Sequence, residues 1–127
     1  MVIVGISGST RRESFNSALL RAAAKSMPQG AQMRIEPIAG IPLYDGDQEA
    51  ADGIPAPVKA LKEAIAAADG LLLVTPEYNN SVPGVAKNAI DWLSRPPSDI
   101  SRCPMTQPGS RAPPPVSRFV AEGNMQW

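Results

Sequence analysis

The stretch that decides the fold is residues 2–17, which read V-I-V-G-I-S-G-S-T-R-R-E-S-F-N-S. Residues 2–6 form a continuous apolar run, typical of a strand that is buried on both faces of a parallel sheet. The next residues are small and polar, and Ser14 or Asn16 then caps a helix that reaches about Met27. The apolar side of this helix is expected to include Phe15, Leu19, Ala22 and Ala23. The segment is therefore predicted to form a strand, a polar loop and a helix.

The following residues repeat this alternation of strand and helix. Further strands are predicted at residues 32–38 and 71–75, and further helices at residues 56–68 and from Pro83 onward. Residues 39–57, rich in glycine, proline and acidic side chains, are predicted to form a long loop. The alternation indicates right-handed crossovers and a doubly wound parallel sheet with helices on both faces. Ligands bind beyond the carboxyl ends of such strands, so chemistry is expected in the loops after the first and third strands.

The composition excludes several kinds of function. The 127 residues include 12 basic and 12 acidic side chains, and the pI is about 6.2, so the chain has no field to hold nucleic acid or an anionic membrane. There is no histidine, which removes the common general base and the His-ligated metal sites. Cys103 is the only cysteine, and no run is long enough to span a membrane or resembles a signal peptide. We expect a cytoplasmic protein whose partners are small molecules or other proteins.

The loop after the first strand has the chemistry of a phosphate site. A helix N-terminus offers backbone N–H groups and a partial positive charge. Hydroxyls are added by Ser9, Thr10, Ser14 and Ser17, and Arg11 adds a guanidinium. The alternative is an ordinary turn with serine caps and solvated arginines. The loop matches neither the dinucleotide glycine pattern nor a Walker loop.

The loop after the third strand, T-P-E-Y-N-N-S-V-P-G at residues 75–84, suits a flat heterocycle. Its prolines restrict the backbone, while Tyr78 and Asn79 offer an aromatic ring and amide groups. Backbone N–H groups there could bond the carbonyls and ring nitrogens of a flavin. The alternative is a simple crossover in which Tyr78 packs on a neighbouring helix. Placement of both loops on one sheet edge favours binding.

Two segments resemble the NADPH-dependent FMN reductase family. They are residues 2–17 and residues 71–95, the latter reading L-L-L-V-T-P-E-Y-N-N-S-V-P-G-V-A-K-N-A-I-D-W-L-S-R. The sequence I-P-L-Y-D-G-D at residues 41–47 is similar to the second loop of that family, so the resemblance covers residues 1–95. It implies a flavodoxin-like α/β fold with strand order 2-1-3-4-5.

The resemblance also implies two groups of FMN-binding residues. Those expected around the FMN phosphate are Ser9, Arg11, Phe15, Asn16 and Ser17, with Ser14 supporting the loop. Those expected along the ribityl chain and the isoalloxazine are Pro76, Glu77, Tyr78, Asn79 and Ser81. Gly84 and Lys87 belong to the same signature, with structural roles. No catalytic side chain and no metal ligand is assigned.

The function implied by the resemblance is that of an FMN-dependent NAD(P)H oxidoreductase. NADPH or NADH would reduce FMN, which would pass electrons to a quinone, an azo compound, an oxidised metal or free flavin. A homo-oligomer, dimer or tetramer, is expected. The alternative is a non-catalytic fragment that binds FMN or phosphate weakly or only dimerises.

Residues 96–127 depart from the family pattern and hold seven of the fourteen prolines. We expect residues 1–95 to be the flavodoxin-like FMN-binding portion and residues 96–127 to be an irregular proline-rich tail. The resemblance implies a fourth and a fifth strand, and their loss through truncation or a changed reading frame would leave the third strand as an apolar edge. A natural disordered tail is the alternative.

Overall fold

A computed structural model describes residues 1–95, and the predictions for residues 96–127 lie outside the described residues. Strands and helices alternate as the sequence predicted, with one additional helix. The elements are β1 (Val2–Ser7), α1 (Phe15–Lys25), β2 (Gln32–Glu36), α2 (Gly46–Asp52), α3 (Ala56–Ala66), β3 (Gly70–Val74) and α4 (Gly84–Leu93).

The three strands form a parallel sheet in the order β2-β1-β3. Ile6 at the end of β1 lies opposite Glu36 of β2, and Ser7 lies opposite Val74 of β3. The carboxyl ends of all three strands therefore meet at one edge. This arrangement confirms the predicted parallel sheet and places the loops after β1 and β3 side by side.

One face of the sheet is covered by α3 and α4. Val4 and Ile6 of β1 pack there against Leu61 and Ile65 of α3, in a cluster that also includes Ala89 and Leu93 of α4. Alternate residues of a strand point to opposite faces, so Val4 and Ile6 share this face. Leu61 and Ile65 thus form an apolar stripe of α3 that faces the sheet.

The other face of the sheet is covered by α1, whose apolar side was predicted incorrectly. Leu20 is fully buried, whereas Phe15 and Leu19 are 70% and 49% exposed. A Cβ atom added to Gly5 would lie 2.9 Å from Leu20 Cδ1, so the glycine admits the Leu20 side chain close to β1. The side of α1 that faces the sheet is therefore set by the space that Gly5 leaves above β1. Helical periodicity alone does not reveal this space.

The predicted loop at residues 39–57 is wrong in part, because it contains α2. Asp45 caps this helix by accepting a hydrogen bond from the Asp47 N–H at 2.9 Å. Asp47 and Glu49 lie in the first turn, where negative charge stabilises the helix dipole. Three of the acidic residues in the predicted loop therefore form the start of a helix.

The segment before α2 is held against α4 by a set of contacts that we call the loop clamp, formed by Asn88, Trp92 and Arg95. The Asn88 side chain donates to the Pro42 carbonyl at 2.8 Å and accepts from the Tyr44 N–H at 2.8 Å. Trp92, which is fully buried, donates from Nε1 to the same Pro42 carbonyl at 2.9 Å. The clamp was not predicted from the sequence.

The third member of the loop clamp, Arg95, combines an ion pair with an aromatic contact. Its Nε lies 2.9 Å from a Glu49 carboxylate oxygen, and its guanidinium lies 5.6 Å from the centroid of the Tyr44 ring. Tyr44 also donates its hydroxyl to Glu49 at 2.9 Å and meets Trp92 edge to face. The Arg95 Nε and the Tyr44 hydroxyl thus share the Glu49 carboxylate as their partner.

No helix among residues 1–95 combines the length and the apolar character needed to cross a membrane.

Candidate functional site

The loops after β1 and β3 are joined where they leave the sheet. The Gly8 N–H donates to the Val74 carbonyl at 2.8 Å, which extends the β1–β3 pairing into the first loop. A Cβ atom at Gly8 would lie 2.2 Å from Thr75 Oγ1 and 3.1 Å from the Thr75 Cα atom. Glycine is therefore required at this contact, since the nearest backbone cannot move aside. Neither Gly8 nor Thr75 was predicted from the sequence to have a role in this contact.

Hydroxyl groups organise the first loop, which we call the phosphate loop (residues 7–17). Ser7 Oγ lies 2.9 Å from Ser17 Oγ, so the end of β1 is linked to the first turn of α1. The Ser9 N–H donates to Ser7 Oγ, and the Arg11 N–H donates to Ser9 Oγ, both at 3.3 Å. Ser7 was missed as an organising residue, although it is the first polar side chain after the apolar run.

Ser14 caps α1, as one of the two sequence alternatives predicted. Its side chain is 5% exposed and accepts a hydrogen bond from the Ser17 N–H at 3.4 Å. The N–H groups of a first helical turn have no partner within the helix. Asn16 is half-buried and Phe15 is exposed at this same turn, so the start of α1 is open to a ligand.

Arg11 supplies positive charge beside the open helix start. It is exposed, and none of the ion pairs among residues 1–95 involves its guanidinium. Ser9, Arg11 and Ser17 line one cleft of about 350 Å³. The donors at this end of the sheet are thus hydroxyls, N–H groups and a guanidinium, a set that fits phosphate oxygens. Within residues 1–95, no cluster of three or more acidic or cysteine side chains could hold a metal ion.

The second loop contains a two-residue hairpin turn, which we call the asparagine turn (Asn79 and Asn80). Tyr78 and Ser81 exchange backbone hydrogen bonds of 2.8 and 3.1 Å across it. Asn79 has a φ of 52° and Asn80 a φ of 58°, the left-handed conformation that asparagine tolerates better than most residues. From the sequence, Asn79 was predicted only to offer amide groups. Its position in a hairpin turn was not predicted.

The remaining residues of the second loop differ in exposure. Pro76 is buried, and its carbonyl accepts a hydrogen bond from Thr75 Oγ1 at 3.1 Å, which fixes the start of the loop. Glu77 is half-buried, Ser81 is exposed, and the Tyr78 side chain is 48% exposed. The Tyr78 ring is therefore available at the surface beside the phosphate loop.

Two titrating groups with shifted pKa values lie at the loop clamp, away from both loops. The hydrogen bond to Glu49 is the largest of the causes that raise the pKa of the Tyr44 phenol, and desolvation is the next largest. Burial lowers the pKa of Lys62, whose ammonium donates to the Arg95 carbonyl at the end of α4. Both groups belong to the contacts that join α2, α3 and α4, and neither lies among the residues predicted to bind a ligand.

The β2-β1-β3 order and the two loops at one sheet edge define a flavodoxin-like α/β protein. The chain belongs to the NADPH-dependent FMN reductase family, whose model matches residues 1–107. The family match thus extends past residue 95, where the quoted motifs end.

Individual relatives match a similar part of the chain. An NAD(P)H-dependent FMN reductase of Pseudomonas aeruginosa is 53% identical over 95 residues, which is 75% of this chain and 51% of that protein. A quinone reductase of Escherichia coli is 52% identical over 96 residues, with the same coverage. The chain spans about half the length of the curated relatives it matches.

Solved structures show the same half-length match. The flavoenzyme NAD(P)H:(acceptor) oxidoreductase FerB of Paracoccus denitrificans superposes with a TM-score of 0.67 at 37% identity. The superposition covers 75% of this chain and 51% of FerB. The described fold is therefore shared with about half of a flavoenzyme chain.

Proposed function

We propose that this chain binds FMN and takes part in electron transfer from NADPH or NADH to a small-molecule acceptor. The observation that carries the proposal is the junction of the phosphate loop and the second loop at Gly8 and Thr75. This junction supports the proposal because it joins the loop that carries Arg11 and the serine hydroxyls to the loop that carries the exposed Tyr78 ring. A flavin mononucleotide has the corresponding two parts, a phosphate and a flat ring.

The phosphate loop would hold the phosphate of FMN. Its backbone is already ordered by Ser7, Ser9 and Ser17, so few residues lose freedom when an anion binds. Arg11 and the first N–H groups of α1 would donate to phosphate oxygens, with Ser14 keeping the helix start in place. The exposed Phe15 and the half-buried Asn16 would line the same side.

The second loop would hold the ribityl chain and the isoalloxazine. Pro76, Glu77 and Ser81 would lie along the ligand where the loop leaves the sheet, while the exposed Tyr78 and Asn79 would contribute an aromatic ring and an amide. FMN, when bound, supplies the hydride and electron acceptance that no side chain of this chain provides. The protein then needs to orient the ring and limit water, which is consistent with a site without histidine.

The acceptor and the assembly are further parts of the proposal. Relatives are named as reductases of quinones or of FMN, which supports a quinone or a flavin as acceptor here. A homo-oligomer fits a sheet whose β3 edge has no partner strand among residues 1–95. The cytoplasmic location is proposed from the sequence alone. A non-catalytic FMN-binding fragment is the second candidate, favoured by the half-length match to the relatives.

Reconstitution of the full chain with FMN separates the two candidates. We expect saturable quenching of flavin fluorescence on titration, followed by oxidation of NADPH or NADH that depends on added benzoquinone. Saturable binding without turnover supports the fragment. Absence of flavin binding in a folded protein contradicts both forms of the proposal.

A further inference from the structure

The two outer strands of the sheet differ in how their free edges are protected. β2 carries Arg34 and Glu36 among its five residues, and charged side chains hinder an edge strand from pairing with another chain. β3 reads G-L-L-L-V and has no charged residue. Among residues 1–95, no strand pairs with the outer side of β3. The sheet is therefore open to the addition of a strand at β3 and protected at β2.

The free edge of β3 presents the backbone groups of Leu71 and Leu73. The Val74 carbonyl accepts a hydrogen bond from the Gly8 N–H at 2.8 Å, so the backbone groups of Val74 point toward β1. Backbone groups of successive residues in a strand point to opposite sides. Those of Leu72 therefore also point toward β1, and those of Leu71 and Leu73 point away from the sheet. Unpaired donors and acceptors in a row form a template for a further strand.

The flank of α1 that faces β3 is also uncovered. Leu20 points to the sheet, where it lies close to Gly5 of β1. Arg21 lines the cleft of the phosphate loop together with Ile35 of β2, so the Arg21 flank of α1 faces β2. Leu19 lies about 100° around the helix from Leu20 in the other direction, and it therefore faces the β3 side. The Leu19 side chain is 49% exposed, so the described part of the chain leaves this flank accessible.

Leu72 lies on the same open side of the sheet. Leu72 pairs with Gly5 in the β1–β3 register, and both positions face α1. Its side chain is only half-buried, whereas Leu71 and Leu73 pack on the other face against the cluster under α3 and α4. Apolar surface at Leu19 and Leu72 thus adjoins the free backbone edge of β3.

We propose that β3 pairs antiparallel with β3 of a second copy of this chain. The proposal rests on the proposed function for its expectation of a homo-oligomer, and it specifies that oligomer as a two-fold dimer. The two-fold axis would pass beside Leu72, perpendicular to the sheet. Leu71 would then lie opposite the partner's Leu73, and their outward N–H and carbonyl groups would bond each other. The two sheets would become one, in the order β2-β1-β3-β3-β1-β2.

A second copy fits this edge because the edge is complementary to itself. A two-fold interface brings the same surface of both partners together, so any charge on it would face a like charge. β3 has none. Rotation about an axis perpendicular to the sheet keeps both α1 helices on one face, so each Leu19 would lie beside the joined Leu72 side chains. The carboxyl ends of the two β3 strands would point in opposite directions, which leaves both flavin sites open.

Sedimentation equilibrium of the full chain tests the dimer, with a reductant present to keep Cys103 from forming a disulfide. We expect association that depends on concentration, with a limiting mass twice the 13.4 kDa of one chain. Leu19→Glu should raise the dissociation constant of the dimer about tenfold, because it places two carboxylates beside the joined strands. Ile35→Glu is the matched control and should associate as the parent does. Ile35 is 44% exposed on the same face of the sheet, at the opposite edge.

A cysteine cross-link tests the register of the two strands. Directly opposed residues that share no hydrogen bond in an antiparallel pair have Cα atoms about 4.5 Å apart, which is within disulfide range. Cys103 is the only native cysteine, so Cys103→Ser gives a background without thiols. In that background, Leu72→Cys should form a disulfide-linked dimer under mild oxidation, whereas Ile35→Cys should stay unlinked.

Three results would overturn the proposal. They are a parent chain that stays monomeric at all concentrations, equal effects of Leu19→Glu and Ile35→Glu on association, and a dimeric Leu72→Cys protein that does not cross-link. Hydrogen exchange then identifies another occupant of the edge. Protected amides of Leu71 and Leu73 in a monomer would mean that residues 96–127 of the same chain cover β3.

Fluorescence titration with FMN keeps this proposal separate from the proposed function. Leu19→Glu should bind FMN as the parent does, because Leu19 lies outside the phosphate loop and the second loop. Dimer formation through β3 without FMN binding supports the strand pairing and contradicts the proposed flavin site. FMN binding by a chain that stays monomeric does the reverse.

Discussion

Two arginines show how differently the phosphate loop and the loop clamp use the same side chain. Arg95 lies against Glu49 and the Tyr44 ring and is joined by long-range contacts to the segment before α2. Arg11 stands exposed at the start of α1, and no ion pair among residues 1–95 involves it. The guanidinium of the clamp is engaged within the fold, and that of the loop is available to a ligand.

The difference extends to the other polar groups of the two regions. In the loop clamp, the side chains of Asn88 and Trp92 bond backbone groups of Pro42 and Tyr44. These partners are distant in sequence and are brought together by the tertiary structure. In the phosphate loop, Ser7, Ser9 and Ser17 bond close neighbours and leave the helix start open. We infer that the clamp serves stability and the loop serves binding, and the following changes test that separation.

The largest expected effect comes from Trp92, the bulkiest fully buried side chain of the described residues. Trp92→Ala should lower the free energy of unfolding by about 3–5 kcal/mol, because it opens a cavity and leaves the Pro42 carbonyl without its indole donor. Urea unfolding followed by circular dichroism measures the loss. Arg11→Ala is the control and should unfold as the parent does. Equal losses in both variants would remove the distinction between the two regions.

Arg11→Ala should instead act on the ligand. We expect it to weaken FMN by about 1.5–3 kcal/mol, the usual contribution of a charge-assisted hydrogen bond. Riboflavin, which lacks the phosphate, should bind the variant and the parent alike. Fluorescence titration with both flavins measures the difference, and equal weakening of the two would place Arg11 away from the phosphate.

Two substitutions of Asn79 in the asparagine turn distinguish the role of its backbone conformation from the role of its side-chain amide. Asn79→Ala should cost about 1–2 kcal/mol of stability, because alanine resists the left-handed conformation, whereas Asn79→Gly should keep the turn. If the Asn79 amide contacts the flavin, both variants should shift the absorbance of bound FMN. A spectral change in the alanine variant alone would assign the effect to the turn.

The smallest expected effect is the pH dependence that Lys62 contributes. Burial lowers its pKa in the folded chain below its usual value of 10.5, so between these two values the unfolded chain binds more protons. The stability of the parent relative to Lys62→Met should therefore rise as the pH increases from about 7 to about 10. Urea titrations of the parent and of Lys62→Met at each pH measure this difference. Tyr44 is present in both proteins, so its own titration cancels from the difference. A constant difference would mean that Lys62 keeps its ordinary pKa.

Local patterns were sufficient for most elements and insufficient for α2 and for the face of α1. The apolar run of β1, the Ser14 cap and the Pro83 helix start each act through neighbouring backbone, so the sequence predicted them correctly. The helix start at Asp45 was interpreted as loop because glycine, proline and acidic residues are frequent in the surrounding segment. For α1, the buried residue is Leu20, because Gly5 on a distant strand leaves room for it.

The candidate site divides in the same way. Sequence alone placed the serines, Arg11 and Tyr78 in loops after parallel strands, because residue chemistry and strand order are local or topological properties. Tertiary structure decided the contact of Gly8 with Thr75, the hydrogen bond of Ser7 to Ser17, and the clamp that joins Trp92 to Pro42. These contacts depend on the distance between elements, which is set only when the side chains of the sheet and the helices pack together.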